Sequence, residues 1–174
     1  ASGTTFVLAV VAGRGLDVEA FGTFAFLLAI LAVVMIAHAS LFSEPMMVYG
    51  AKNYSSAFNR YLGVLLGWQL AFGISCALAA VAIGWVWSSY GGSFSSVLAF
   101  AVVIPLALTV DFQERTFFTQ LRPHVPMFAA AGQLCVLVLV IAQPWLPATE
   151  TLPGVLLTYA GSLAAGGLGL TVSS

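Results

Sequence analysis

Charge is what this sequence has least of. Of 174 residues, five are Lys or Arg and six are Asp or Glu, 6% together, against about 25% in soluble domains. A net charge of −1 builds no field that would draw in nucleic acid, so no nucleic-acid partner is expected. Cysteine is almost absent as well. Cys76 and Cys135 each fall in an apolar run, form no C-x-x-C, and read as small buried hydrophobes. The two histidines, His38 and His124, lie far apart with no acid–base partner close in sequence. There is no G-x-S-x-G elbow, P-loop or H-E-x-x-H, and no paired carboxylates or nucleophile beside a base. The expectation is a protein with no catalytic residues, no metal site and no cofactor, and therefore not an enzyme.

Apolar residues fill the space. The chain is 61% hydrophobic with a mean hydropathy of +1.05, and so apolar a chain needs an apolar solvent. A spanning helix takes about 20 mainly apolar residues. Five runs qualify: Phe21–Phe42, Tyr61–Trp87, Phe94–Phe112, Val125–Leu146 and Leu152–Val172. The opening "ASGTTFVLAVVAGRGLD" has no Met and no basic lead-in, and its apolar part (1–13) is too short to span. It reads as the tail of a spanning helix whose start is missing, and the abrupt end "GLGLTVSS" also reads as part of a longer protein. Run length favours helices over barrel strands, which would be shorter and would alternate in polarity. The expected fold is all-α, a polytopic transmembrane bundle of about six helices with the first truncated, forming one unit over 1–174.

The connections set the orientation. Arg14–Ala20, Ser88–Ser93 and Pro147–Thr151 are short turns, whereas Ser43–Arg60 and Asp111–His124 are longer. The long pair carries Lys52, Arg60, Arg115 and Arg122, and the short set only Arg14. The positive-inside rule places the long connections and the N-terminus in the cytoplasm, in a multi-pass protein of the cell inner membrane.

The stretch "SEPMMVYGAKNYSSAFNRYLG", 43–63, predicts a cytoplasmic amphipathic segment over 43–60. As a helix it puts Met47, Ala51, Tyr54, Phe58 and Tyr61 on one face and Lys52, Ser55, Ser56 and Asn59 on another. Ser43 is read as its N-cap, Pro45 as a first-turn proline, and Glu44 as a charge suited to a helix start. Lys52, Arg60 and Glu44 are then membrane-interface residues. Asp111, Arg115, Thr119 and Arg122 form a second polar stripe, with Asp111 and Arg115 spaced for an i, i+4 ion pair. His38, Gln69, Gln133 and Gln143 are the polar residues inside spans. Such residues face a bundle interior or a wet cavity, either as interhelical hydrogen bonds or as substrate contacts. Arg115, Arg122, Asp111, His38, Gln69 and Gln133 are the substrate-path candidates. The ridges Gly63–Gly67 and Gly161–Ala165–Gly169 are where helices should approach closely. Pro105 predicts a kink.

Three stretches carry a family resemblance. "LDVEAFGTFAFLLAI" resembles the first outer turn and second helix of polysaccharide flippases, and "SEPMMVYGAKNYSSAFNRYL" resembles the cytoplasmic segment that follows in the same group. "ERTFFTQLRPHVPMFAAAGQL" is similar to the link between that family's fourth and fifth helices. These proteins are the O-antigen and capsule flippase branch of the multidrug/oligosaccharidyl-lipid/polysaccharide exporter superfamily, and the likeness covers nearly the whole chain. It implies one lobe of a two-lobe, alternating-access transporter, completed by a missing C-terminal lobe or a second copy. The implied cargo is a lipid-linked oligosaccharide, an undecaprenyl-pyrophosphate glycan, carried across the bilayer. Family members often hold the pyrophosphate with basic residues in the cavity, but no span here has Lys or Arg at mid-depth. The anion site then comes from the other lobe or from the interfacial arginines, or else the cargo differs. Two alternatives stand beside this reading. One is a self-pairing half-size transporter of another small substrate. The other is a membrane-embedded glycan polymerase or transferase, although such enzymes carry long outer loops and the turns here are short.

Overall fold

Asp17 separates the first two helices. Its backbone is extended (φ −68°, ψ 170°), and its carboxylate accepts a hydrogen bond from the Ala20 N–H at 2.7 Å. This satisfies one of the unpaired donors at a helix start. The computed structural model describes residues 2–50, 58–90, 92–119, 124–141 and 151–172. Among them every regular element is helical: α1 (Ser2–Gly15), α2 (Val18–His38), α3 (Phe58–Ser88), α4 (Phe94–Thr119), α5 (His124–Ile141) and α6 (Leu152–Val172). The expected all-α bundle of six helices is therefore present. Lys52, the rest of 51–57, Arg122 and Gln143 lie outside the described residues.

α2 does not stop at Phe42. It runs on through two π-helical turns, Ala39–Ser43 and Met46–Gly50, giving a continuous apolar helix over Val18–Tyr49. Ser43 is therefore not an N-cap. It is fully buried in mid-helix, and Glu44 is exposed partway along the same helix rather than at a start. The reason lies at Pro45. A proline inside an α-helix lacks the N–H and collides with the carbonyl four residues back. Here the Glu44 N–H bonds the Ala39 carbonyl, five residues back. That wider turn just ahead of the proline gives the displaced carbonyls room, and the helix continues. "Ser-Glu-Pro" looks locally like a helix start, but the chain absorbs it. The foreseen amphipathic segment is thus, for 43–50, the end of α2.

α4 is the central helix. It packs against α3 on one side and α6 on another, and α5 leans on α6. Phe100, Val103, Ile104 and Leu108 of α4 join Phe24, Leu27 and Leu31 of α2, Leu8 and Ala12 of α1, and Val155, Leu156 and Tyr159 of α6 in one core. α4 also continues to Thr119, so Asp111 lies within the helix instead of opening a connection.

Among the described side chains the close approach of α3 to α4 occurs at Gly73 and Gly84 rather than at Gly63, Gly67 or Gly161, and the surroundings of Gly169 lie outside the described residues. A Cβ on Gly63, Gly67 or Gly161 would meet nothing within 4 Å. On Gly73 it would lie 3.4 Å from the Pro105 Cα, and on Gly84 2.8 Å from the Val97 Cβ. Gln69, Gly73, Cys76, Ala80 and Gly84 recur at spacings of four and three and are buried or half-buried. This small-residue stripe is the face α3 turns to α4. Cys76 is half-buried, as a small residue on that stripe would be, whereas Cys135 is exposed, against expectation.

Three helices are long and apolar enough to cross a membrane: Val18–Tyr49, Arg60–Ser88 and Phe94–Phe118. In the first two only 17% and 11% of the most apolar window is buried inside the protein. Side chains such as Phe26, Val33, Trp68 and Ile83 stand more than half exposed. Apolar surface on that scale needs lipid around it, which makes this a membrane protein.

Candidate functional site

At the end of the bundle where α2 turns π-helical, polar side chains from three helices gather in an apolar setting. His38 of α2 is completely buried. Its Nδ1 lies 3.7 Å from Oδ2 of Asp111 on α4, within ion-pair reach but beyond hydrogen-bonding distance. The same Oδ2 accepts the Arg115 Nε–H at 2.9 Å. The i, i+4 pair foreseen from spacing therefore forms, and His38 joins it from another helix. The side chains are 15% exposed for Asp111 and 34% for Arg115, so the guanidinium is the member that reaches outward.

An aromatic cage holds the imidazole. The ring centroids of Phe42, Phe72 and Phe112 lie 5.4, 6.4 and 6.4 Å from that of His38. Phe42 also packs on Phe72 at 5.6 Å. Phe42 follows His38 by one turn of α2, while Phe72 comes from α3 and Phe112 from α4. Nearby along α3 and α4, the Gln69 Nε2 donates to the Thr109 hydroxyl at 3.3 Å, and that hydroxyl donates to the Pro105 carbonyl at 2.7 Å. Toward the helix ends the Thr116 hydroxyl contacts Met46 Sδ at 3.4 Å and donates to the Phe112 carbonyl at 2.9 Å. Thr109, Asp111, Arg115 and Thr116 thus span about 10 Å of α4 at 1.5 Å per residue.

Several buried polar atoms have no hydrogen-bond partner among the described residues: both His38 nitrogens, Ser43 Oγ, Gln69 Oε1 and Gln113 Oε1. Each such atom costs about 1–3 kcal/mol. The His38, Ser43 and Gln69 atoms are places where a water or a polar ligand could be held, whereas Gln113 Oε1 faces Gly167 of α6. Chemically, one carboxylate faces a guanidinium and an imidazole.

The structure brings together four of the substrate-path candidates: His38, Asp111, Arg115 and, one turn further along the helices, Gln69. Gln133 is buried but stands on α5, which packs chiefly on α6 and α1. Arg60 is exposed at the start of α3. Sequence reasoning missed the phenylalanine cage, Thr109 and the Met46–Thr116 contact. The i, i+4 spacing of His38 and Phe42 was a usable signal for one cage member. Nothing local points to Phe72. Among the described residues no three His, Cys, Asp or Glu side chains come close enough to hold a metal.

No protein-family model, no curated protein and no solved structure matches this chain.

Proposed function

We propose that this chain is one lobe of a membrane transporter that moves a lipid-linked oligosaccharide across the cytoplasmic membrane by alternating access. The observation that carries this reading is the Arg115–Asp111–His38 cluster. It is a polar, ion-paired group inside an apolar bundle, at the end where Arg60 stands exposed at the start of α3. A flippase needs no covalent chemistry. It must give a hydrated, anionic head a polar route through about 30 Å of hydrocarbon while the lipid tail stays outside. Arg115, about one-third exposed and held by Asp111, is a cation placed to meet a phosphate at the cytoplasmic mouth. The likeness of three segments to polysaccharide flippases supports the same cargo. The second wall of the path comes from a further lobe or a second copy, and the protein has its N-terminus in the cytoplasm.

The test replaces Arg115 and Arg122 with Gln in the full-length protein and measures surface glycan. Surface glycan should fall at normal protein level. Unchanged glycan with normal protein in the membrane would remove these arginines from the path.

A further inference from the structure

At the opposite end of the bundle α2 and α3 part, leaving a cleft of about 630 Å³ between α2, α3 and the first half of α4. That is within the ~300–1,000 Å³ range of small-molecule sites. Its walls are apolar, formed by Phe26, Leu27, Ile30, Ile83, Trp87 and Phe100. Phe26 and Ile83 are 58% and 67% exposed, so the cleft opens along its side to whatever surrounds the helices. On α3 it runs from Cys76 to Trp87, about 16 Å at 1.5 Å per residue. That is close to one leaflet, half of ~30 Å.

The mouth differs from the walls. It holds the carboxylates of Asp17 and Glu19, and no Lys or Arg lines the cleft. Among the described residues no cation lies within ion-pair distance of either acid; the ion pairs formed are His38 and Arg115 with Asp111. Ser93 and Ser96 also line the cleft, and Ser93, Ser95 and Ser96 join their hydroxyls at 3.0 Å each at the start of α4. Carboxylates meet an amine, and hydroxyls at a helix start meet a phosphate oxygen. An anionic pyrophosphate head finds the wrong sign here.

We propose that this cleft is a binding site for an amine-headed phospholipid of the surrounding bilayer. One acyl chain lies between α2 and α3, and the ammonium group rests against Glu19 and Asp17. A lipid is favoured over a soluble ligand because the cleft is one leaflet deep, open to the side and apolar along its length.

The test uses Trp87 as a reporter. The protein with Trp68→Phe, Trp85→Phe and Trp145→Phe keeps only the cleft tryptophan. It is placed in phosphatidylcholine nanodiscs with a small, equal fraction of acyl-brominated lipid of one head group at a time. Brominated phosphatidylethanolamine should quench Trp87 about three-fold more than brominated phosphatidylglycerol, the discrimination an exposed ion pair supplies, and also more than brominated phosphatidylcholine, whose quaternary ammonium has the charge but no N–H to donate to a carboxylate. Glu19→Gln, a change at an exposed side chain, should erase the preference, and Ala79→Phe, at an exposed lining residue off the α3–α4 stripe, should reduce quenching by every brominated lipid. Equal quenching by the three head groups before Glu19 is replaced, or a preference for phosphatidylglycerol, overturns the proposal. So does stoichiometric displacement of the brominated lipid by tetraphenylphosphonium, which would assign the cleft to chainless lipophilic cations.

Discussion

α3 and α4 are equally apolar, each with a mean hydropathy of 2.0 over its best window, yet 11% of that window is buried in α3 and 50% in α4. In water a helix as apolar as α3 would be driven into a core. In lipid the hydrocarbon solvates an apolar side chain as well as another helix does, so burial follows packing shape and polar contacts. α4 carries Thr109, Asp111, Arg115 and Thr116 and presents Pro105 and Val97 to the glycines of α3. α3 presents one narrow stripe, and the rest of its circumference bears large side chains such as Trp68, Leu78 and Ile83 that stand exposed. Hydropathy therefore identifies what enters the bilayer, and small and polar residues identify what faces protein.

The largest expected effect compares leucines. Leu108 of α4 is fully buried and Leu78 of α3 is 65% exposed. Leu108→Ala should lower stability by about 2–4 kcal/mol through the cavity it leaves, while Leu78→Ala should stay within about 0.5 kcal/mol. Reversible unfolding in mixed micelles checks both, and equal losses would break the distinction between the two helices. Next come the glycines. Gly84→Leu would force the new Cβ against Val97 and part α3 from α4, costing about 2–3 kcal/mol. Gly67→Leu meets open space and should be neutral or slightly stabilising through helix propensity. A thermal shift of similar size in both variants would mean that α3 docks through its Gly63–Gly67 face instead. The smallest effect concerns the polar contact that draws α2 to α4. Asp111→Asn keeps the shape and removes the charge that Arg115 and His38 share. Because Arg115 is one-third exposed and can turn to water, the loss should be about 1–1.5 kcal/mol. A double-mutant cycle with Arg115→Gln should show coupling between the two positions, and strict additivity would reduce the pair to a surface contact.

Particular residues show what was legible. The five apolar runs located α2 to α6 because length and hydropathy are local properties. The Asp111–Arg115 pair was legible because the spacing within one helix sets it. The end of α2 was misread because Ser43, Glu44 and Pro45 obey the local grammar of a helix start. A π turn, with the Glu44 N–H reaching back to the Ala39 carbonyl, let the chain ignore that grammar. The glycines were misjudged for a related reason. Gly63-x-x-x-Gly67 matches a short motif, whereas Gln69–Gly73–Cys76–Ala80–Gly84 emerges only when small residues are followed over several turns. His38 was identified as a polar residue inside a span, but its partners come from α3 and α4, which no local pattern connects to it.

That the chain is helical and belongs in a bilayer follows from composition and run length. Backbone groups in hydrocarbon must be satisfied within each segment, and so few charges over so many apolar residues leave no soluble alternative. Which apolar helix is central, which glycines are contacts, and that His38 meets Asp111 emerge only from the packing of the helices. Lipid and protein solvate apolar side chains almost equally, so those choices rest on shape and on a few polar atoms that find one another only once the helices are packed.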